Sequence, residues 1–172
     1  MAKPRPGQTT DSRPAKSKPM HLTKYTDYSL RVLMRLALTP GQLTTIAEIA
    51  DVYGISQHHL MKVVHQLGVA GYIETTRGRG GGIRLAKEAT DIAVGEVVRR
   101  MEPDLNLVAC FSADERCTIT SACVLAGVLN EALDAFLTVL DRHSLADLVE
   151  RPRQLSRLLK VSLNPPAPRN PD

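Results

Sequence analysis

Apolar residues recur at helical spacing over the part of the chain that follows Thr26. One stripe of them falls at positions i, i+3, i+4 and i+7, which predicts a first helix that ends before Pro40 and Gly41. The stripe consists of Leu30, Leu33, Met34 and Ala37. Thr45 and Glu48 have the spacing of a capping box, so we expect a second, short helix to begin there. Its inward positions are Ile46, Ile49 and Ala50.

A third helix is predicted after a brief turn at Gly54. Ser56 provides its N-cap, and the two helices on either side of the turn would form a helix-turn-helix. The inner positions of the third helix are Leu60, Val63, Val64 and Leu67. Its outward face offers polar side chains that suit base edges and phosphates in a major groove. The expected DNA contacts are Ser56, Gln57, His58, His59, Lys62 and His65.

Two short strands are predicted next, joined by a glycine-rich turn. Tyr72–Thr76 and Ile83–Leu85 have strand character, and the segment between them reads Arg-Gly-Arg-Gly-Gly-Gly. Glycines permit a tight turn and a close approach of the backbone to another molecule. Arginines at the tip of such a hairpin are expected to enter a minor groove or to contact phosphates. The expected contact residues of this wing are Arg77, Arg79, Gly80 and Arg84.

A phosphate loop for a nucleotide is the rival interpretation of the glycine-rich segment. Such a loop ends in Gly-Lys-Ser or Gly-Lys-Thr and opens a helix, whereas this segment lacks that ending and precedes a strand. A helix-turn-helix followed by a hairpin is typical of a winged helix, so the pattern favours a DNA-binding protein over a nucleotide-binding one.

Two further helices are predicted in the second half of the chain. The first carries an apolar stripe that ends before Pro103, namely Val94, Val97, Val98 and Met101. The second is long, begins after Cys123, and carries Leu125, Val128, Leu129, Ala132, Phe136, Val139 and Leu140 along one side. This stripe predicts a homodimer seam, with packing against its own domain as the alternative. A twofold dimer would suit a palindromic operator in double-stranded DNA.

The predicted fold class is mainly α with a small β-hairpin: a winged helix-turn-helix domain plus a long C-terminal dimerisation helix. The expected domains are a disordered basic arm (1–19), the winged helix (20–103), a cysteine loop with the dimerisation helix (104–163), and a disordered tail (164–172). The arm holds five Lys and Arg against one Asp and could contact phosphates. A solvated tail, or an extension upstream of a natural start at Met20, is the alternative.

Charge and composition narrow the class of protein further. Residues 54–100 carry seven basic and four acidic side chains, while residues 101–150 carry two and nine, so a surface for a polyanion would precede an acidic element. No run of eighteen apolar residues exists, and the N-terminus lacks the apolar segment of a secretory signal. We therefore expect a cytoplasmic protein that does not contact membranes. No catalytic histidine and carboxylate constellation is evident, so we do not expect an enzyme.

All three cysteines lie within one polar, loop-like segment. Six residues separate Cys110 from Cys117, and five separate Cys117 from Cys123. A loop of this size can fold three thiolates around one centre, which suits an iron–sulfur cluster or zinc with a fourth ligand from elsewhere. A thiol redox switch and chemically inert cysteines are the alternatives. An iron–sulfur enzyme or electron carrier is disfavoured, because it would leave the helix-turn-helix unexplained.

The chain resembles the family of transcription regulators that contains NsrR, IscR and RirA, and within it the nitric-oxide-sensing, NsrR-like iron–sulfur repressors. The likeness runs from Met20 to about Val161. It rests on several stretches of sequence besides the cysteine loop. These are Leu22–Tyr28, Asp51–Ser56, His59–Val64, Arg77–Leu85, Gly95–Val98 and Met101-Glu-Pro.

The resemblance implies a homodimeric winged-helix repressor with one cluster per subunit, of 2Fe–2S or 4Fe–4S type, which leaves DNA when nitric oxide attacks the iron. It implies Cys110, Cys117 and Cys123 as ligands. IscR-like members have a histidine three residues after the last cysteine, but Ala126 stands there. NsrR-like members use an aspartate of the partner subunit, which matches Asp27; a simple first-turn helix charge is the alternative. The runner-up function is a relative that senses iron or cluster supply, or thiol oxidation.

Overall fold

A computed structural model describes residues 21–111, 117–119 and 122–163. The predicted arm and tail lie outside the described residues, as does the middle of the cysteine loop. The fold is mainly helical with one antiparallel hairpin, which confirms the predicted fold class. The helices are α1 (Lys24–Ala37), α2 (Ile46–Tyr53), α3 (Gln57–Val69), α4 (Val94–Met101), α5 (Val124–Asp141), α6 (Leu145–Leu148) and α7 (Pro152–Leu158). The strands are β1 (Ile73–Thr76) and β2 (Gly82–Leu85).

Helix α1 is the central element of the core, and its predicted apolar stripe was only partly right. Leu33 and Ala37 are buried, but Leu30 and Met34 are only partly buried. The buried residues that the stripe missed are Val32 and Leu36, with the polar residues Thr26, Ser29 and Arg35. The reason is that α1 contacts α3, α4, α6 and β2, so it buries a wider face than one stripe.

Arg35 is an unexpected member of this buried face. Its guanidinium donates a hydrogen bond to the Thr39 hydroxyl at 3.0 Å, and burial lowers the pKa of Arg35. A charged group is costly to bury unless it is hydrogen bonded, so Thr39 offsets part of that cost.

The helix-turn-helix follows the sequence prediction closely. Thr45 and Glu48 form the capping box of α2, and Gly54 ends that helix in a left-handed conformation. The Ser56 side chain accepts a hydrogen bond from the His59 backbone N–H and so caps α3. The four predicted inner residues of α3 are all buried, namely Leu60, Val63, Val64 and Leu67. Because these residues pack against the core, the opposite face of α3 is turned outward.

The hairpin is tied to the chain segment that precedes α2. Strands β1 and β2 pair in antiparallel register, with Ile73 opposite Leu85 and Thr76 opposite Gly82. Thr44 and Ile83 exchange two backbone hydrogen bonds, each 2.9 Å long. Gly82 permits this pairing, because a Cβ there would lie 2.9 Å from the Thr44 carbonyl oxygen.

The C-terminal end of α5 is fastened to α4. Arg99 donates two hydrogen bonds of 2.6 Å to the Asp141 carboxylate, and this pairing holds the pKa of Asp141 below its usual range. Gly95 packs against Asp141, where a Cβ would collide with the carboxylate. The backbone N–H of Val94 also donates to the His143 carbonyl at 2.9 Å. Helix α5 is therefore held against α4 at its C-terminal end.

Candidate DNA interface and cysteine site

The outward face of α3 presents all of the DNA contacts predicted for it. Their positions are set by the burial of the opposite face. Ser56, Gln57, His58, His59, Lys62 and His65 are exposed. Met61 also lies on this face with 51% of its surface exposed, and an apolar side chain there can contact the methyl group of a thymine. The face thus offers donors, acceptors and an apolar contact.

The hairpin carries its predicted contact residues in the turn between the strands and in β2. Arg77, Arg79, Gly80 and Arg84 are all exposed. The turn depends on glycine, because Gly78 and Gly80 have φ values of 98° and 77°. Arg84 differs from the other two arginines, because its guanidinium forms an ion pair with Glu74 on the neighbouring strand. Its charge is therefore partly neutralised before any phosphate arrives.

A cleft of about 760 Å³ separates the start of α1 from α3 and the end of α4. The Tyr25 hydroxyl lies in it and donates a hydrogen bond of 3.1 Å to the Lys62 carbonyl of α3. Burial raises the pKa of Tyr25, so this hydroxyl keeps its proton at neutral pH. The first turn of α1 is thereby joined directly to the helix that carries most of the predicted DNA contacts.

The three cysteines stand between α4 and α5. Cys110 lies in the 3₁₀ turn Ala109–Phe111, and Cys123 is the N-cap residue of α5. None of the three forms a disulfide, and Cys117 is exposed. Three reduced thiols are the donor type that iron–sulfur clusters use, so the donor set fits such a cluster. Within the described residues, no three side chains of His, Cys, Asp or Glu lie close enough together to hold a metal ion.

Asp27 lies in the first turn of α1. Its carboxylate accepts a hydrogen bond of 2.9 Å from Arg31, one helical turn later, and this bond raises the pKa of Arg31. Both side chains remain nearly half exposed. Asp27 is therefore accessible to another molecule, and among the described residues it belongs to no group of three potential metal ligands.

Glu102 forms hydrogen bonds with the start of α1 that the sequence did not predict. It directly follows α4 and precedes Pro103. Its carboxylate accepts hydrogen bonds from the backbone N–H of Thr23 at 3.1 Å, from the Thr23 hydroxyl at 3.2 Å, and from the Thr26 hydroxyl. The two segments are 79 residues apart. No local pattern could have indicated this contact, although Glu102 lies in the Met101-Glu-Pro stretch that supports the family resemblance.

Helix α5 carries an apolar face that is wider than the predicted stripe and is buried along only one of its edges. Leu137 is buried against the domain, and Leu129, Leu133 and Leu140 are partly buried. The rest of the predicted stripe faces outward: Leu125 is 61% exposed, Val128 54%, Phe136 43% and Val139 48%. Leu129 and Leu140, which also belong to the predicted stripe, lie at the border between this outward side and buried Leu137. The outward face is nevertheless an apolar surface of the kind that subunits bury on assembly.

Comparison with known proteins places this arrangement in a family. Residues 22–151 match the Rrf2 family, which is described as "Iron-dependent Transcriptional regulator". The chain is 55% identical to the HTH-type transcriptional regulator NsrR of Bacillus subtilis (strain 168) over 144 residues, which cover 83% of this chain and 99% of that protein. It is 53% identical to the NsrR regulator of Geobacillus kaustophilus over 143 residues, 82% of this chain and 97% of that one.

Solved structures agree with these sequence matches. The global cysteine regulator CymR of B. subtilis superposes with a TM-score of 0.62 at 27% identity, covering 76% of this chain and 97% of that one. The IscR structure from T. potens gives a TM-score of 0.64 at 25% identity over 80% of this chain and 91% of that one. Within the described residues, no helix is long and apolar enough to cross a bilayer. The chain belongs to the Rrf2 family of transcriptional regulators.

Proposed function

We propose that this chain forms a homodimeric repressor that binds a palindromic operator and senses nitric oxide through an iron–sulfur cluster. Cys110, Cys117 and Cys123 would hold one cluster per subunit, of 2Fe–2S or 4Fe–4S type, with Asp27 of the partner subunit as fourth ligand. The observation that carries the proposal is the position of the cysteine segment, which links the end of α4 to the start of α5. The proposal also assigns the protein to the cytoplasm, where thiols stay reduced.

The DNA-binding role is distributed over two elements. The exposed face of α3 would enter a major groove, where Gln57, His58 and His59 lie in the first turn that meets base edges. Lys62 and His65, one turn further along, would contact phosphates or bases. The wing arginines would hold the backbone or a neighbouring minor groove.

Dimer formation would use the outward face of α5. Four large apolar side chains on that face are between 43% and 61% exposed in the single chain. Burial of apolar surface stabilises association by roughly 25 cal/mol per Å², so a second copy of this helix offers a natural cover. Such a pair would relate two α3 helices by a twofold axis, as a palindromic site requires.

The cysteine segment would act as the sensor. When bound, the cluster supplies iron sites that nitric oxide attacks. Cys110 and Cys123 stand at the two ends of the loop, so their joint ligation would hold those ends together and fix the loop in one conformation. Asp27 would have to share its carboxylate with Arg31 or leave it, and a hard carboxylate is a poor match for iron held by thiolates. That ligand would therefore be the labile one.

A sensor of thiol oxidation, or of iron or cluster supply, is the second candidate. The observation that favours thiol oxidation is that Cys117 is exposed and that none of the three cysteines is in a disulfide. Reversible oxidation of such thiols would also change the conformation of the loop.

Anaerobic purification followed by iron and sulfide analysis tests the proposal. We expect a brown protein whose visible absorbance bleaches with nitric oxide and whose DNA affinity falls in parallel. Cys123→Ala should lose the cluster, whereas Thr118→Ala, a change at an exposed position of the same loop, should keep it. A colourless zinc protein would refute the proposal. Loss of DNA binding through a disulfide, with no iron present, would favour the thiol sensor.

A further inference from the structure

The first turn of α1 is tied to a distant part of the chain by an acidic cap. Helix N-termini carry backbone N–H groups without partners inside the helix, and Thr23 already satisfies one of them as the N-cap. Glu102 adds a carboxylate that accepts from the Thr23 backbone N–H and from the hydroxyls of Thr23 and Thr26. Thr26 is completely buried and Glu102 is partly buried, so this contact is partly shielded from water.

The same turn has two further contacts that point in different directions. Tyr25 donates to the Lys62 carbonyl of α3 at 3.1 Å. Asp27 is held on the turn by its backbone N–H, which donates to the Thr23 carbonyl at 3.0 Å, and its carboxylate is accessible. The segment Thr23–Asp27 therefore connects Glu102, the DNA-facing helix and an exposed acidic group. Glu102 in turn precedes Pro103, and seven residues separate it from Cys110.

We propose that Glu102 is a positioning residue that holds the first turn of α1 and thereby couples the cysteine segment to the DNA-facing helix. The inference rests on the proposed function in one respect, the role of Asp27 toward the cluster of the partner subunit. Movement of the cysteine segment would pull on Glu102, shift the first turn, and reach α3 through Tyr25. The same shift would move Asp27.

A purely local role for Glu102 is the competing interpretation. If Glu102 only capped α1, its loss would loosen that helix and nothing else. Coupling requires in addition that α3 responds, although Glu102 forms no hydrogen bond with α3 among the described residues. The response of α3 is therefore the observation that separates the two interpretations.

Amide hydrogen exchange of the cluster-free protein tests the coupling without any cluster. Glu102→Gln keeps the shape of the side chain but removes its charge and one acceptor oxygen. We expect exchange in the first turn of α1 to become about tenfold faster, as loss of charged hydrogen bonds implies. We also expect faster exchange in α3 around Lys62. Glu88→Gln, the same change at an exposed position, is the control and should leave both regions unchanged.

Two companion variants keep the test decisive if Glu102→Gln fails to fold. Thr26→Val removes only the hydroxyl that donates to Glu102, and Thr26→Ser retains it, so the pair should differ in the same two regions. Tyr25→Phe removes the contact with Lys62. In that background, Glu102→Gln should still loosen α1 but should no longer affect α3.

The cluster-loaded dimer provides a second readout. Glu102→Gln should alter the visible circular dichroism of the cluster as Asp27→Ala does, and should add nothing to the effect of Asp27→Ala. DNA affinity should fall by about 2- to 30-fold, the range of energetic coupling through packed networks. Faster exchange in α1 with unchanged α3 exchange would overturn the coupling and leave Glu102 as a cap. If the wild type binds no cluster, the proposed function fails while the exchange experiment still decides this inference.

Discussion

The wing arginines differ in how much charge they can offer to DNA, and this difference can be measured. Arg79 is exposed at the hairpin tip and forms no ion pair within the described part of the chain. Arg84 is exposed too, but its guanidinium is paired with Glu74. We predict that Arg79→Ala changes the salt dependence of DNA binding strongly and that Arg84→Ala changes it weakly.

The size of the effect follows from counterion release. Each phosphate contact contributes about −0.9 to the slope of log K against log salt, so a dimer that loses Arg79 from both wings should lose about 1.8 in slope. Between about 50 and about 200 mM salt, the affinity gap between wild type and Arg79→Ala should then shrink by about 12-fold. Arg84→Ala should lose less than half as much slope, because Glu74 already offsets that charge.

Fluorescence anisotropy of a labelled DNA duplex, titrated at several salt concentrations, provides the assay. Arg157→Ala, which removes an exposed arginine from α7, is the control for net charge and should leave the slope near the wild-type value. Equal slopes for Arg79→Ala and wild type would show that the wing tip does not contact phosphates. A larger change for Arg84→Ala than for Arg79→Ala would refute the argument from the ion pair.

Four other predictions concern the sensor, the dimer, the core and the capping residue Asp147 of α6. Asp27→Ala should give a folded dimer with an altered cluster spectrum and altered reactivity toward nitric oxide; a wild-type spectrum and rate would reduce Asp27 to a helix-start charge. Phe136→Glu should place a charge on the outward face of α5 and yield monomers in size-exclusion chromatography, and an intact dimer would exclude that face as the seam. Leu67→Ala should lower the free energy of unfolding by about 2–5 kcal/mol in urea titrations, since Leu67 has no exposed surface; a loss below about 1 kcal/mol would contradict its place in the core. Hydrogen bonds from Ser144 hold the pKa of Asp147 below its usual range. The Asp147 carboxylate therefore stabilises the fold above a pH of about 3.9, and this stabilisation is lost as pH falls through the lowered folded-state pKa. Asp147→Asn should therefore unfold more easily than wild type at neutral pH and match it in strong acid, as thermal melts at several pH values would reveal.

Local rules were sufficient for the helix-turn-helix and insufficient for the elements that pack on several sides. The inner residues of α3 were predicted correctly because α3 buries one face, and Ser56 was recognised as its cap because capping needs only neighbouring residues. In α1, Val32 and Leu36 were missed because neighbours surround the helix. A stripe rule assumes one buried face and cannot anticipate that geometry.

Helix α5 shows the same limit in another form. Its apolar face is wide, and only the structure separates buried Leu137 from exposed Phe136. The contact of Glu102 with Thr23 was out of reach for a different reason, since the two residues are 79 positions apart. The ligand roles of the cysteines and Asp27 remain predictions that rest on the resemblance and on donor chemistry.

The two hydrogen bonds between Thr44 and Ile83 hold the wing against the segment that precedes α2. Thr44 immediately precedes the cap of α2, and Ile83 lies in the strand that returns from the wing tip. The span between the wing strands and the segment that leads into α2 is therefore held by backbone hydrogen bonds. A duplex whose groove width does not match that span must itself deform, at a cost that depends on its base steps. Base pairs that the protein never touches would then influence which operators it occupies.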